Sequence, residues 1–304
     1  MAEAVGGQAV LEGVMMRGPR NWAVAVRKPD GHIAHVSRPI DPLMARHWAL
    51  RLPIIRGVVA LGESLAVGFR ALSVSANYAA QEEAEGDEEP AEIGRWALFF
   101  AFAVAIGFAI MMFKVGPALI TDTLPLNGFV FVLVEGLIRV SVFVGYLAVL
   151  SFIPSLRRVF QYHAAEHKAI NAYEAGEDLT PERVQRYSLI HPRCGTAFLL
   201  WVMVIAIFVF AFFGRPVWYW LVLTRILLLP VIAGIAYEVI RFAGKHQDNG
   251  ILMTMLAPGL WLQRLTTRQP TLDQIEVSIR ALREVLDSEK QAVPSAAARV
   301  EVMA

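Results

Sequence analysis

The chain has 304 residues, 56% of them hydrophobic and only 18% charged, with a mean hydropathy of +0.49, which excludes a water-soluble globule of average make-up. A formal net charge of +1 and the lack of a basic patch interleaved with aromatics exclude nucleic acid as a natural partner. The single cysteine, Cys194, excludes an internal disulfide and a cysteine-rich zinc ribbon.

Taken in chain order, residues 1–50 are rich in Gly and Pro and lack the basic-then-apolar start of a signal peptide. The first spanning helix is therefore expected to serve as its own insertion signal. Within this region "WAVAVRKPDGHIAHVSRPI" alternates apolar and polar residues on both sides of Pro29-Asp30-Gly31, the pattern of a β-hairpin. Gly6, Gly7, Gly13 and Gly18 surround Glu12 and Arg17 at a spacing that fits neither a dinucleotide fingerprint nor a P-loop. Such glycines permit turns or the close approach of a ligand, and Glu12 and Arg17 are candidates to line a site.

Residues 51–80 carry apolar side chains at helical spacing, interrupted by Arg56, Glu63 and Arg70, and read as an amphipathic helix on or beneath a membrane rather than a fifth span. Residues 81–94 form an acidic linker. Four apolar stretches then reach or approach the roughly 20 residues needed to cross a bilayer: 96–120, 127–152, 197–213 and 216–240, the last two joined by Gly214-Arg215-Pro216 as a tight hairpin. Between the pairs, 95–152 and 197–241, lies the polar loop 153–196, and residues 242–304 form a C-terminal region. There Thr271 and Gln274 make a capping box ahead of Ile275, Ile279, Leu282 and Leu286, and the helix they start ends in a tail expected to be disordered.

Positive charge sets the expected orientation. Of the 28 Lys and Arg, ten precede the first span, six lie in the middle loop and eight follow the fourth, while the opposite connections hold only Arg215. The positive-inside rule places the N-terminus, the middle loop and the C-terminus in the cytoplasm, in a multi-pass protein of a bacterial inner membrane. The fold class is thus mainly α: a polytopic membrane protein with about four transmembrane helices, a small N-terminal β element and amphipathic helices.

The middle loop contains "QYHAAEHKAINAYEAGE", with His163, Glu166 and His167 in the order H-x-x-E-H. From Ser155 to Ala175 there is no Gly or Pro, so a helix is expected, and it places His163 and His167 one turn apart with Glu174 on the same face. Two such histidines can reach one Zn²⁺, and the adjacent Glu166 can act as general base toward water acidified by the ion. This is the order used by inverzincin peptidases. The third ligand is left among Glu238, His191, Cys194 and Glu174, with the preference for Glu238, which would come from a separate downstream helix.

The stretches "VGGQAVLEGVMMRGP", "YHAAEHKAINAYEAGE", "HPRCGT" and "APGLWLQRLTTRQP" resemble the motifs of the YqhQ family of bacterial membrane proteins, a domain of unknown function. The resemblance implies a polytopic inner-membrane protein described as a predicted metal-dependent enzyme without an established substrate. It places His163, Glu166, His167, His191 and Cys194 on matching positions.

Three functions stay open on the sequence. One is a hydrolase holding a divalent metal, zinc by expectation, with its site at the cytoplasmic membrane face and a membrane protein or peptide as substrate. Another is a scaffold or assembly factor without catalysis. The third is a small transporter with a polar path marked by Lys114, Glu135, Arg139 and Arg225, although Glu135 and Arg139 can neutralise each other at i, i+4. The lipid bilayer is a partner in each case, and homo-oligomerisation is open.

Overall fold

A computed structural model describes residues 5–80, 95–213, 218–246 and 249–291. The acidic stretch 81–92, the Gly214-Arg215-Pro216 turn and the tail beyond 291 lie outside the described residues.

The chain starts as a four-stranded antiparallel meander, β1 (Gly6–Val10), β2 (Gly13–Arg17), β3 (Asn21–Arg27) and β4 (Ile33–Pro39), in the order β1-β2-β3-β4. The expected hairpin is β3–β4, with Arg27 opposite Ile33 and Gly31 at φ 84° in the turn, a conformation that suits glycine. The glycine-rich stretch before it, read as turns, is instead the hairpin β1–β2. Alternation fails as a signal there because the sheet is covered on both sides, as it is in buried sheets generally.

One face, carrying Val14, Met16, Ala23 and Ala25, packs on helices α6 (Pro154–Glu174) and α11 (Leu272–Gln291). The other, carrying Met15, Trp22, Val24 and Val26, packs on Val67 and Ala71 of helix α2 (Ile55–Ala80). Helix α11 opens with the expected box: Thr271 N–H donates to Gln274 Oε1 at 3.0 Å and Gln274 N–H to Thr271 Oγ1 at 3.4 Å. Its far end is fixed by buried Glu289, which accepts from the backbone N–H groups of Arg20 and Asn21 at 2.7 and 2.8 Å.

The remaining described elements include two short helices, α1 (Leu43–Arg46) and α7 (Pro181–Val184), and six that are mainly apolar. These are α3 (Arg95–Ile110), α4 (Gly116–Asp122), α5 (Gly128–Ser151), α8 (Gly195–Ala211), α9 (Trp218–Lys245) and α10 (Gly250–Thr266). Four helical segments are long and apolar enough to cross a membrane: Ile55–Tyr78, Ala103–Asp122, Gly128–Ser151 and Leu223–Lys245. The membership differs from expectation. Helix α2 joins the set although it also packs along the sheet and α9, while α8, apolar over 17 residues, is shorter than these four.

Helix α10 was not expected, since Pro258 sits inside it. Asn249 caps it by accepting from the N–H groups of Ile251 and Leu252, and the helix packs on α8 and α5. Among the apolar helices, buried Glu135 accepts from Arg139 at 2.5 Å and from Arg225 at 2.7 and 2.8 Å, while Arg139 also donates to Phe113 O in the π-turn Met111–Val115. Lys114 stacks over the Phe210 ring at 5.9 Å. Three of the four residues considered for a transport path are thus engaged in stitching α5 to α9 and to the α3–α4 junction.

Candidate functional site

Helix α6 is the platform. Pro154 occupies its first turn, where a missing N–H costs nothing, and the alanines at 164, 165, 169 and 172 let β1 and α11 approach its inner face. Its polar side chains hold the loop that follows. His167 Nδ1 lies 2.6 Å from Leu189 O, Lys168 Nζ donates to Gln185 O and Tyr187 O at 2.6 Å each, and Asn171 Nδ2 donates to Ser188 O and Ile190 O. Burial lowers the Lys168 pKa, and the two carbonyls partner its ammonium. Five carbonyls between 185 and 190 are thereby tied to one helix. Beyond them, His191 exchanges two hydrogen bonds with buried Gln263 of α10, and the chain turns so that Cys194 precedes α8.

The anchored loop brings Cys194 Sγ to 3.3 Å from His163 Nε2. His163 Nδ1 sits 2.8 Å from Thr266 O at the end of α10. A carbonyl only accepts, so Nδ1 of both His163 and His167 carries the proton and Nε2 is the nitrogen free to ligate. One ligand-type atom from each of His163, His167 and Cys194 lies within 4.8 Å of the others. A tetrahedral N₂S site needs separations of roughly 3.3–3.6 Å, within a side-chain adjustment of what is present.

Without an ion, charge attraction favours a proton on His163 Nε2 facing the Cys194 sulfur, and a metal ion would displace that proton. Burial alone would lower the His163 pKa, but the Cys194 sulfur and Glu166 raise it to about 9. Burial would raise the Cys194 thiol, but His163 and His167 hold it well below the usual thiol range. The thiolate is the form of cysteine that binds metals. Burial pushes Glu166 up, against the pull of His167 and His163. Four buried atoms in and around the site have no hydrogen-bond partner among the described residues: His167 Nε2, Glu166 Oε1, His191 Nδ1 and Arg17 Nε. Unpaired buried polar groups are costly, and a cation held by His167 Nε2 removes the first of these costs. The donor set, two imidazoles and a thiolate with room for a fourth ligand, fits zinc.

A cavity of about 500 Å³ adjoins these groups, with Leu61, Leu65, Leu147 and Leu199 on its apolar side and Gly7, Gln8 and Ala9 of β1 on another. Gly7 is required where it stands, because a Cβ there would lie 2.6 Å from Glu166 Cγ and 2.9 Å from Met15 O.

The other candidates go elsewhere. Glu238, the preferred third ligand, accepts from Arg56 Nε and Nη2 at 2.7 and 2.5 Å and from Ile54 N–H at 3.3 Å, so it is committed to holding α2 on α9 and does not join the histidines. Glu174 is bound by Arg193 and lies 3.5 Å from His191 Nε2; burial would raise its pKa, but these two partners lower it. His191 is fully buried with its ring centroid 5.9 Å from that of His167, and supports the site from behind. Glu12, at φ 51°, pairs with Arg158 and accepts from Tyr162 Oη at 3.4 Å, away from the cavity. Arg17 does line the cavity, fixed by Glu63 and Ser64 of α2 at 2.6 and 2.9 Å. Sequence reasoning overlooked Lys168, Asn171, Gln263 and Thr266. The signal available was the run of polar residues at i, i+1 and i+4 on an alanine-rich helix.

The family described as "Protein of unknown function (DUF1385)" matches residues 52–288. The chain is also similar to the "Uncharacterized protein YqhQ" of Bacillus subtilis (strain 168), with 34% identity over 295 residues, covering 93% of this chain and 92% of the relative. No solved structure matches. The chain belongs to the DUF1385 family, and its apolar helices are compatible with a membrane protein.

Proposed function

We propose that the protein is a metal-dependent hydrolase of the bacterial cytoplasmic membrane, holding one divalent ion, zinc by preference, on His163, His167 and Cys194. The observation that carries this reading is the convergence of three ligand-type atoms, from half-buried His163 and buried His167 of α6 and buried Cys194 after the 185–190 loop, beside a carboxylate with an unpartnered oxygen and a cavity of substrate size. When bound, such an ion supplies Lewis-acid activation of water and of a substrate carbonyl.

The chain's own residues do the rest. The Leu189 and Thr266 carbonyls fix the two imidazoles. Glu166, whose pKa burial raises against the pull of the two histidines, accepts the proton of the attacking water and returns it to the leaving group. The skew of Lys and Arg toward the N-terminus, the middle loop and the C-terminus supports a site on the cytoplasmic side of a multi-pass protein. A scaffold role would leave His167 Nε2 and Glu166 Oε1 buried and unsatisfied without return.

The test is hydrolysis of a proteome-derived peptide library by detergent-purified, zinc-loaded protein. Wild type is expected to cleave, and E166Q to retain its metal while losing at least about 10²-fold in rate. Equal cleavage by E166Q, or no hydrolysis by metal-loaded wild type, refutes the proposal.

A further inference from the structure

Strand β1 lies at the edge of the sheet. Its pairing parity follows from one bond outside the ladder: Arg27 N–H donates to Glu12 O at 2.9 Å, so Glu12, Val14 and Met16 bond toward β3. Gly13, Met15 and Arg17 therefore bond toward β1, where Val10, Gln8 and Gly6 stand opposite them. This leaves the N–H and C=O groups of Gly7 and Ala9 directed outward. Among the described residues no hydrogen bond outside the sheet reaches them.

Edges of this kind are usually blunted by charge, proline or a covering element. Here α2 and α6 cover the two faces of β1, and the edge between them faces the cavity, which Gly7, Gln8 and Ala9 line together. Gly7 and Ala9 are half-buried and Gln8 is exposed, so the edge is open. The rail also ends where the chemistry is. The position of a Cβ on Gly7 lies 2.9 Å from Glu166 Oε1. Opposite stand Leu65 and Leu199, 66% and 48% exposed, offering contacts for apolar side chains.

We propose that the Gly7–Ala9 edge is a strand-pairing rail that binds an extended, apolar peptide segment, and that the substrate of the hydrolase is therefore a peptide rather than a lipid. This rests on the reading of the His163, His167 and Cys194 site given above. A peptide strand satisfies alternate backbone groups and presents side chains at a period of two. An acyl chain fills the apolar side but leaves the edge unpaired.

The experiment separates the two claims. Detergent-purified full-length protein is panned against a phage-displayed random octapeptide library, and the recovered peptides, labelled with fluorescein, are titrated by anisotropy. Wild type, Ala9→Pro and His163→Ala/His167→Ala are compared, with helical circular dichroism and gel filtration as folding checks. Proline at position 9 removes an edge-facing N–H and leaves the ladder to β2 intact. It is expected to weaken binding at least about fivefold, as loss of a buried hydrogen-bond donor does. Methylating the peptide's amides one at a time should weaken binding at every second position only, on wild type as well as in the absence of metal.

No peptide enriched above bare beads, equal binding by A9P, or methylation effects without alternation each overturns the rail. If A9P does not fold, the methylation pattern on wild type decides. An alternating pattern on a wild-type protein that holds no metal keeps the rail and removes the hydrolase; metal without alternation does the reverse.

Discussion

Replacing Gly7 by alanine tests the contact that holds the sheet against the candidate base. The added Cβ would stand 2.6 Å from Glu166 Cγ, 2.9 Å from Glu166 Oε1 and 2.9 Å from Met15 O, where carbon atoms prefer roughly 3.5–4.0 Å. Glu166 is 2% exposed and cannot swing into solvent without dragging α6 from β1. Overpacking of this kind costs about 1–3 kcal/mol, and at about 2–4 °C per kcal/mol the midpoint in a detergent thermal-shift assay should fall by roughly 2–12 °C. The E166A variant removes two of the three clashes. G7A on an E166A background should therefore lose less than half of what it loses on wild type, the coupling expected of residues in contact. A G7A protein that melts with wild type, or an equal loss on both backgrounds, refutes the packing of β1 against Glu166.

Three further outcomes follow from the same geometry. Glu238→Ala should lower thermal stability by roughly 1–3 kcal/mol, because it removes the carboxylate of a partly buried pair with Arg56, yet leave zinc content unchanged by elemental analysis; a loss of zinc would return Glu238 to the ligand set. Asn171→Ala and Lys168→Met release carbonyls of the 185–190 loop and should weaken zinc binding about 10–100-fold in a chelator competition, the usual effect of disturbing a ligand's support. Glu289→Ala leaves the Arg20 and Asn21 N–H groups without their acceptor and should cost roughly 2–4 kcal/mol of stability, read as a lower melting midpoint with normal zinc content.

Much of the local architecture was legible. The β3–β4 hairpin was written in alternation around Pro29-Asp30-Gly31, α11 in its capping box, and α6 in the run from Ser155 to Ala175 free of Gly and Pro. What was not legible depended on distant partners. Strands β1 and β2 carry no alternation because α2 and the α6–α11 pair bury both faces, and Gly7 is there because Glu166 presses on it. Helix α10 was hidden by Pro258, whose ring falls in a helix that tertiary packing sustains.

The candidate third ligand shows the same limit. Glu238 has the right chemistry and an apolar setting, but Arg56, 182 positions away, takes both its oxygens. Cys194 reaches His163 only because five side-chain bonds from α6 fold the intervening loop back. Residue type nominated both; only the packing separates them.

The most direct test of the metal site is elemental analysis of detergent-purified protein, wild type beside His163→Ala/His167→Ala and Cys194→Ser, each after incubation with zinc and removal of the excess. The account predicts about one zinc per wild-type chain, loss of that zinc in the double variant and marked depletion in Cys194→Ser, with all three proteins folded by circular dichroism. Wild type that stays metal-free after such loading, or variants that keep the ion, would contradict it.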